Sequence, residues 1–99
     1  MWTFFPPLVG INFRHLDART VASNLAEGDI LTLEREPSNQ FDINAIKVIH
    51  PESGEFIGYI ARMVAAEIAV LIDQGKFYVC TVAENAGLKN ITLCVVFTE

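Results

Sequence analysis

The stretch "EFIGYIARMVAAEIAVLIDQG" (residues 55–75) changes its hydrophobic period part-way, and the reading of the fold turns on that change. Its first seven residues, "EFIGYIA", form a short apolar and aromatic run of strand type. From Arg62 the spacing differs. Val64, Ile68, Leu71 and Ile72 fall on one helical face, alanines fill neighbouring positions, and Gly75 suits the cap at which a helix ends. The spacing predicts a helix over 62–74 with Val64, Ile68 and Leu71 buried.

Upstream, "AIKVIHP" (45–51) reads as a strand, and Pro51-Glu52-Ser53-Gly54 turns it into 55–61 as a hairpin. "ILTLERE" (30–36) sets apolar Ile30, Leu31 and Leu33 against polar Thr32, Glu34 and Glu36, a strand with one wet face. "FPPLVGINF" (5–13) reads as a first strand whose prolines place its start on an edge. "DARTVASNLAEGD" (17–29) reads as a short helix with Asp17 as N-cap and Gly28 as stop. Downstream, "KFYVCTVAE" and "NITLCVVFTE" are two strands around "NAGLK", with Asn85 and Gly87 as turn residues. Six short strands with one main and one short helix define an α+β domain: a small, curved antiparallel sheet or barrel.

Ninety-nine residues, 52% of them hydrophobic and 19% charged, fit one domain (1–99) with its own core. No apolar run approaches the roughly 18 residues that span a bilayer. "MWTFFPPLVG" lacks a basic start, and Pro6-Pro7 interrupts its apolar run, so no signal peptide and no membrane partner are expected, and a cytoplasmic location is. A net charge of −5 excludes a broad cationic field, so any anion site must be local. Cys80 and Cys94 have no zinc spacing. A hairpin turning near Gly87 would set them opposite each other, as buried, reduced thiols. His15 and His50 share no ligand spacing with each other or with a cysteine, so no metal or other cofactor is expected. Without a G-x-S-x-G elbow, a Gly-rich phosphate loop or a close carboxylate pair, an enzyme is not expected either.

"REPSNQFDINAIKV" (35–48) is richer than a turn requires. As a plain hairpin loop, Pro37 would break the strand, Asn39 and Asp42 would bond to backbone, Phe41 would tuck into the core and Lys47 would face water. As a binding loop, the aromatic face of Phe41 beside the Asp42 carboxylate would stack a base and accept a hydrogen bond from a sugar hydroxyl. Local physics leaves both readings open.

"LAEGDILTLEREPSNQFDINAIKV" (25–48), followed by "GEFIGYIARMVAAEIAVLIDQG" (54–75) and preceded by "LVGINF" (8–13), closely resembles the HIRAN domain over nearly the whole chain. The resemblance implies an OB-like β-barrel that binds single-stranded DNA and, in its best-understood members, grips a free 3′-hydroxyl end. HIRAN domains occur in Swi/Snf-type helicases that remodel stalled replication forks, and as short stand-alone bacterial or phage proteins; this chain looks like the stand-alone kind. Position by position, the resemblance implies that Phe13 and Phe41 sandwich the terminal base. It gives Asp42 the 3′-hydroxyl, Asn39 the terminal nucleotide, and Tyr59 and Arg62 the backbone phosphate; Arg62 also stands near a helix start that favours an anion. Lys47 is left as structural. Phe13 and Phe41 stand where the DNA-binding member has tyrosines, Tyr59 replaces a histidine, and Asn12 replaces an arginine for which Arg14 would substitute. Fewer phosphate contacts imply weaker binding and a shallower salt dependence.

The leading expectation is therefore a non-enzymatic module that holds a single-stranded DNA end, with a helicase or another protein as partner, in repair, replication or a mobile element. The alternative is a protein-interaction domain of the same fold, of phage-accessory type, with no nucleic-acid ligand and with Trp2-Thr3-Phe4-Phe5 as an interface, including a homo-oligomer. A nuclease subunit would need a metal-binding carboxylate cluster.

Overall fold

A computed structural model describes residues 1–98. Seven strands form an antiparallel sheet curled into a half-barrel: β1 (Trp2–Phe4), β2 (Leu8–Val9), β3 (Ile30–Arg35), β4 (Ile46–His50), β5 (Glu55–Ile60), β6 (Tyr78–Asn85) and β7 (Ile91–Phe97). Their order across the sheet is β1-β7-β6-β3-β4-β5-β2. Two α-helices accompany them, α1 (Leu16–Ser23) and α2 (Arg62–Asp73). The α+β, OB-like architecture expected from the sequence is the observed one.

The first strand is where expectation and structure part. Residues 5–13 do not form one strand. β1 starts earlier and pairs with β7, while β2 pairs with β5 at the other end of the sheet. Pro6 and Pro7 make the transfer. The Pro6 carbonyl accepts from Leu93 N (2.9 Å) and the Pro7 carbonyl from Ala61 N (3.1 Å), so two consecutive residues bind opposite ends of the sheet. A residue without an N–H loses nothing where only its carbonyl is used. Gly10, at φ 77, then turns the chain into a 3-10 turn, Ile11–Phe13, in place of the strand's expected end.

α2 follows its spacing closely. Ile68 and Leu71 are buried, and so are Ala65 and Ala69; Val64 and Ile72 are only partly buried, at the margin of the core. The C-terminus closes as the glycine position suggests: Gly75 N bonds to Ile72 O (2.9 Å) and Lys76 N to Leu71 O (3.2 Å), with Gly75 at φ 77. For α1 the caps differ from expectation. His15, not Asp17, is the N-cap, Asp17 lies in the first turn, and the helix stops at Asn24. Gly28, at φ 88, shapes the next turn, where its N–H reaches Val82 O (2.8 Å).

β3 alternates exposed and buried positions, with Leu31 and Leu33 inward and Ile30 left on the wet face. With Ile46, Ile57, Ile68, Leu93 and Phe97 they form one continuous core. The final strands span Tyr78–Asn85 and Ile91–Phe97; the expected extension of the last strand to Glu99 falls outside the described residues. Cys80 and Cys94 are free, as expected, but not opposite each other. Cys80 pairs with Val95 and Thr81 with Cys94, so pleating turns the thiols to different faces. Cys80 is buried and its pKa is pushed up to about 12, by burial first and then by Cys94; Cys94 itself is only partly buried.

One close approach fixes the ground on which the site stands. Gly58, buried in β5, lies under β2, and a Cβ there would stand 2.6 Å from the Val9 carbonyl oxygen. Only glycine lets the two strands come this near.

Candidate nucleic-acid interface

The loop from Glu36 to Ala45 is held by its own polar side chains. Glu36 N bonds to Ala45 O (2.9 Å) and closes it. Asn39 Oδ1 accepts from Phe41 N (2.8 Å) and Asp42 N (3.0 Å), and its Nδ2 donates to Glu36 Oε1 (2.7 Å). Asp42 Oδ1 accepts from Asn44 N (2.9 Å). Arg35 reaches in from the end of β3: Nη1 donates to Ala45 O and Nη2 to Ile43 O, while Nε binds Asp73 at the end of α2 (3.0 Å). Such side-chain-to-backbone bonds let a loop adopt one shape without a core of its own. With these polar groups engaged, Phe41 does not tuck inward. It is 84% exposed.

Glu36 is the hub beneath the loop. Besides Asn39 it accepts from the Tyr59 hydroxyl (2.8 Å), and Lys47 Nζ lies 3.3 Å from its Oε2. Asn39, then Tyr59, then Lys47 hold its carboxyl below the ordinary range. Burial, aided by the neighbouring Glu36 carboxylate, pushes the Tyr59 hydroxyl up. Lys47 therefore does not extend freely into water; only partly exposed, it lies between Glu36 and the Phe56 ring, 4.9 Å from the ring centre.

Phe41, Asp42, Asn39, Tyr59 and Arg62 surround a shallow hollow of about 200 Å³, floored in part by Val9 and Ala45. Arg62 opens α2, is 79% exposed, and stands 3.9 Å from Asp42 Oδ2, a loose pair. Asp42 itself is 18% exposed, so its carboxylate is sheltered yet borders open space. The hollow thus presents an apolar ring, an acceptor and a cation on neighbouring walls.

Of the residues singled out in the sequence, these five come together. Phe13 and Asn12 do not join them. Phe13, 91% exposed, borders a second hollow of about 210 Å³ with Asn12, Leu88 and Lys89, and Val9 lines both hollows. Arg14 is engaged elsewhere: Nε donates to Phe56 O (2.9 Å) and the guanidinium lies 3.8 Å above the Phe56 ring. The Tyr59 hydroxyl is likewise directed at Glu36.

A family model described as the HIRAN domain matches residues 3–96. The chain belongs to the HIRAN family. Membership supports a nucleic-acid-binding rather than a catalytic role. The chain is 42% identical over 46 residues to helicase-like transcription factor of Mus musculus. It is 40% identical over 57 residues to a putative SWI/SNF-related matrix-associated actin-dependent regulator of chromatin, subfamily A member 3-like 1, of Arabidopsis thaliana. The matches cover 46% and 58% of this chain but only 4% and 6% of those much longer proteins. Among solved structures, a Lactobacillus plantarum protein superposes with a TM-score of 0.81 at 28% identity, over 95% of this chain and 93% of that one. The HIRAN domain of human HLTF superposes at 0.75 and 22% identity, over 96% and 74%, a likeness of fold.

Within this HIRAN fold, the sequence hid Glu36, Arg35 and Lys89. Glu36 reads as the wet end of a strand, and its partner Tyr59 is 23 residues away. Lys89 reads as a turn residue; only the folded chain brings it beside Phe13. Among the described residues, no three His, Cys, Asp or Glu side chains cluster as a metal site, and no helix is long and apolar enough to cross a membrane.

Proposed function

We propose that this HIRAN chain holds a free 3′-hydroxyl end of single-stranded DNA, with the terminal nucleotide in the hollow beside Phe41. The observation that carries this reading is the pairing of an outward ring with a sheltered acceptor on one braced loop: Phe41 at 84% exposure beside Asp42 at 18%. The ring stacks any base, for roughly 1–3 kcal/mol, without reading sequence. A carboxylate accepts from a hydroxyl and repels a phosphate, so Asp42 selects the unesterified end. Arg62 leaves its loose pair with Asp42 to meet the first phosphate, and the α2 N-terminus adds a favourable field there. Asn39 keeps Phe41 and Asp42 in register rather than touching the nucleotide itself. The resemblance adds a helicase or repair partner.

Fluorescence anisotropy with single strands ending in 3′-hydroxyl or 3′-phosphate tests the proposal. The expected affinity is on the order of micromolar at low salt, with a shallow salt slope because phosphate contacts are few. Phe41→Ala should weaken both ends, and Asp42→Ala should erase the preference for hydroxyl. Absence of binding at low salt, or equal binding of the two ends, refutes end recognition. A protein-interaction role then takes its place, and it has its own observation: Phe5, Phe77 and Val79 are 64%, 80% and 56% exposed.

A further inference from the structure

We infer that the outer face of the sheet between β1 and β6 is the docking surface for a second copy of this chain, met face to face about a two-fold axis through Val96. The inference stands apart from the 3′-end reading, because none of the residues it uses lines the hollow beside Phe41.

Register and pleat define this face. Phe4 and Tyr78 pack their rings against Phe97 on the inner side of the sheet. Thr3 and Val79 each pair with Val96, one step along, so pleating sets these three side by side on the outer face. Phe5 and Phe77, both exposed, extend it. β1 and β6 each run antiparallel to β7 and therefore parallel to one another. Phe77 lies two residues before Val79, and Phe5 two residues after Thr3. The two rings thus stand at diagonally opposite corners, with Val96 midway.

Charge, symmetry and size fit this face to a copy of itself. The chain has a net charge of −5, so two copies repel wherever their acidic surfaces meet. The segments 3–5, 77–81 and 94–96 that build the face hold no charged residue, and the adjoining Lys76 lies over the Trp2 ring, 5.3 Å from its centre. Two copies can meet here without setting like charges together. Rotation about an axis through Val96, in the plane of the face and perpendicular to the line joining the two rings, lays Phe5 on Phe77 of the second copy and Phe77 on its Phe5. Val96 then meets Val96 at the centre. An unrelated partner has no cause to match this diagonal pair, whereas a copy matches it by symmetry. The face bares on the order of 500 Å² per copy, near the upper end of what a monomer leaves uncovered. Two copies together cover about 1,000 Å², the size at which a specific interface begins.

Sedimentation equilibrium of the full chain tests the inference. Wild type should dimerise reversibly with a dissociation constant on the order of 10–100 µM, as suits an interface at the small end of the specific range. Phe5→Lys and Phe77→Glu should each weaken self-association at least about tenfold, because each homodimer loses both ring contacts. An equimolar mixture of the two variants should regain most of that loss, since the heterodimer keeps one ring pair and sets lysine against glutamate in the other. Cys94 gives a reading that needs no variant. It lies on the same outer face, two residues from Val96 and partly buried, whereas Cys80 is buried with its thiol pushed up to about 12 and is slow to react. Alkylation of Cys94 by iodoacetamide should slow as the protein concentration rises through the dimer midpoint. Each of four results overturns the inference: a wild type monomeric at millimolar concentration, variants that dimerise like wild type, a mixture no stronger than its parts, or alkylation independent of concentration. None of them bears on the 3′-end reading, which anisotropy tests separately.

Discussion

Phe13 and Phe41 stand on either side of Val9, both almost fully exposed, yet the chain holds them in unlike ways. Phe41 is carried by side-chain polar groups: Asn39, Asp42, Glu36 and Arg35 bond to one another or to the backbone of their own loop. Phe13 is carried by packing. Ile11, 2% exposed, anchors the 3-10 turn from below, and two backbone bonds, Phe13 N to Gly10 O and Arg14 N to Ile11 O, close it. A ring braced by charge responds to pH and to the loss of a single acceptor. A ring braced by burial responds to the loss of volume.

The largest effect should come from the packed side. Ile11→Ala removes a buried side chain and should lower stability by about 2–4 kcal/mol, read by chemical denaturation. A loss below about 1 kcal/mol would show that the 3-10 turn does not depend on its anchor.

Next comes the polar brace. Glu36→Ala strips Asn39, Tyr59 and Lys47 of their shared acceptor and should cost about 1–2 kcal/mol, the partial exposure of the group keeping it modest. Because the folded state holds the Glu36 carboxyl below its ordinary value of 4.5, its contribution is present above that value. It is lost as the pH falls through the depressed folded value. Glu36→Gln should flatten this acid segment of the stability profile, while Ile11→Ala should leave it unchanged in shape.

The smallest effect separates holding from being held. Phe41→Ala should change stability by no more than about 0.5 kcal/mol, since the ring contributes little buried surface. A substantial loss would show Phe41 to be a structural member of the loop, contrary to its exposure.

The same contrast explains what the sequence disclosed. Regular periods announced α2 and the strands from β3 to β7, because Leu31, Leu33, Ile68 and Leu71 repeat at the spacing their elements impose. The asparagine and aspartate of the 35–48 loop were legible as backbone partners for the same local reason. What stayed hidden is settled by distant partners. The prolines could be recognised as an edge, but not as a link between β7 and β5, which requires knowing that Leu93 and Ala61 lie on either side of them. Arg14 looked available for phosphate until Phe56, 42 residues away, came to lie beneath it. The cysteine offset is of the same kind: a one-residue difference in hairpin register decides which face each thiol takes.

Gly58 carries a consequence for how this surface can be altered. The height of the Val9 ridge between the two hollows is set by a main-chain carbonyl resting where a side chain is missing, 2.6 Å from any Cβ that replaced it. None of the ring-bearing residues takes part in that contact. Phe13, Phe41, Arg62 and Lys89 line the hollows without setting the spacing between them. Exchanging any of them should leave the Val9 ridge in place, whereas a side chain at position 58 should displace it.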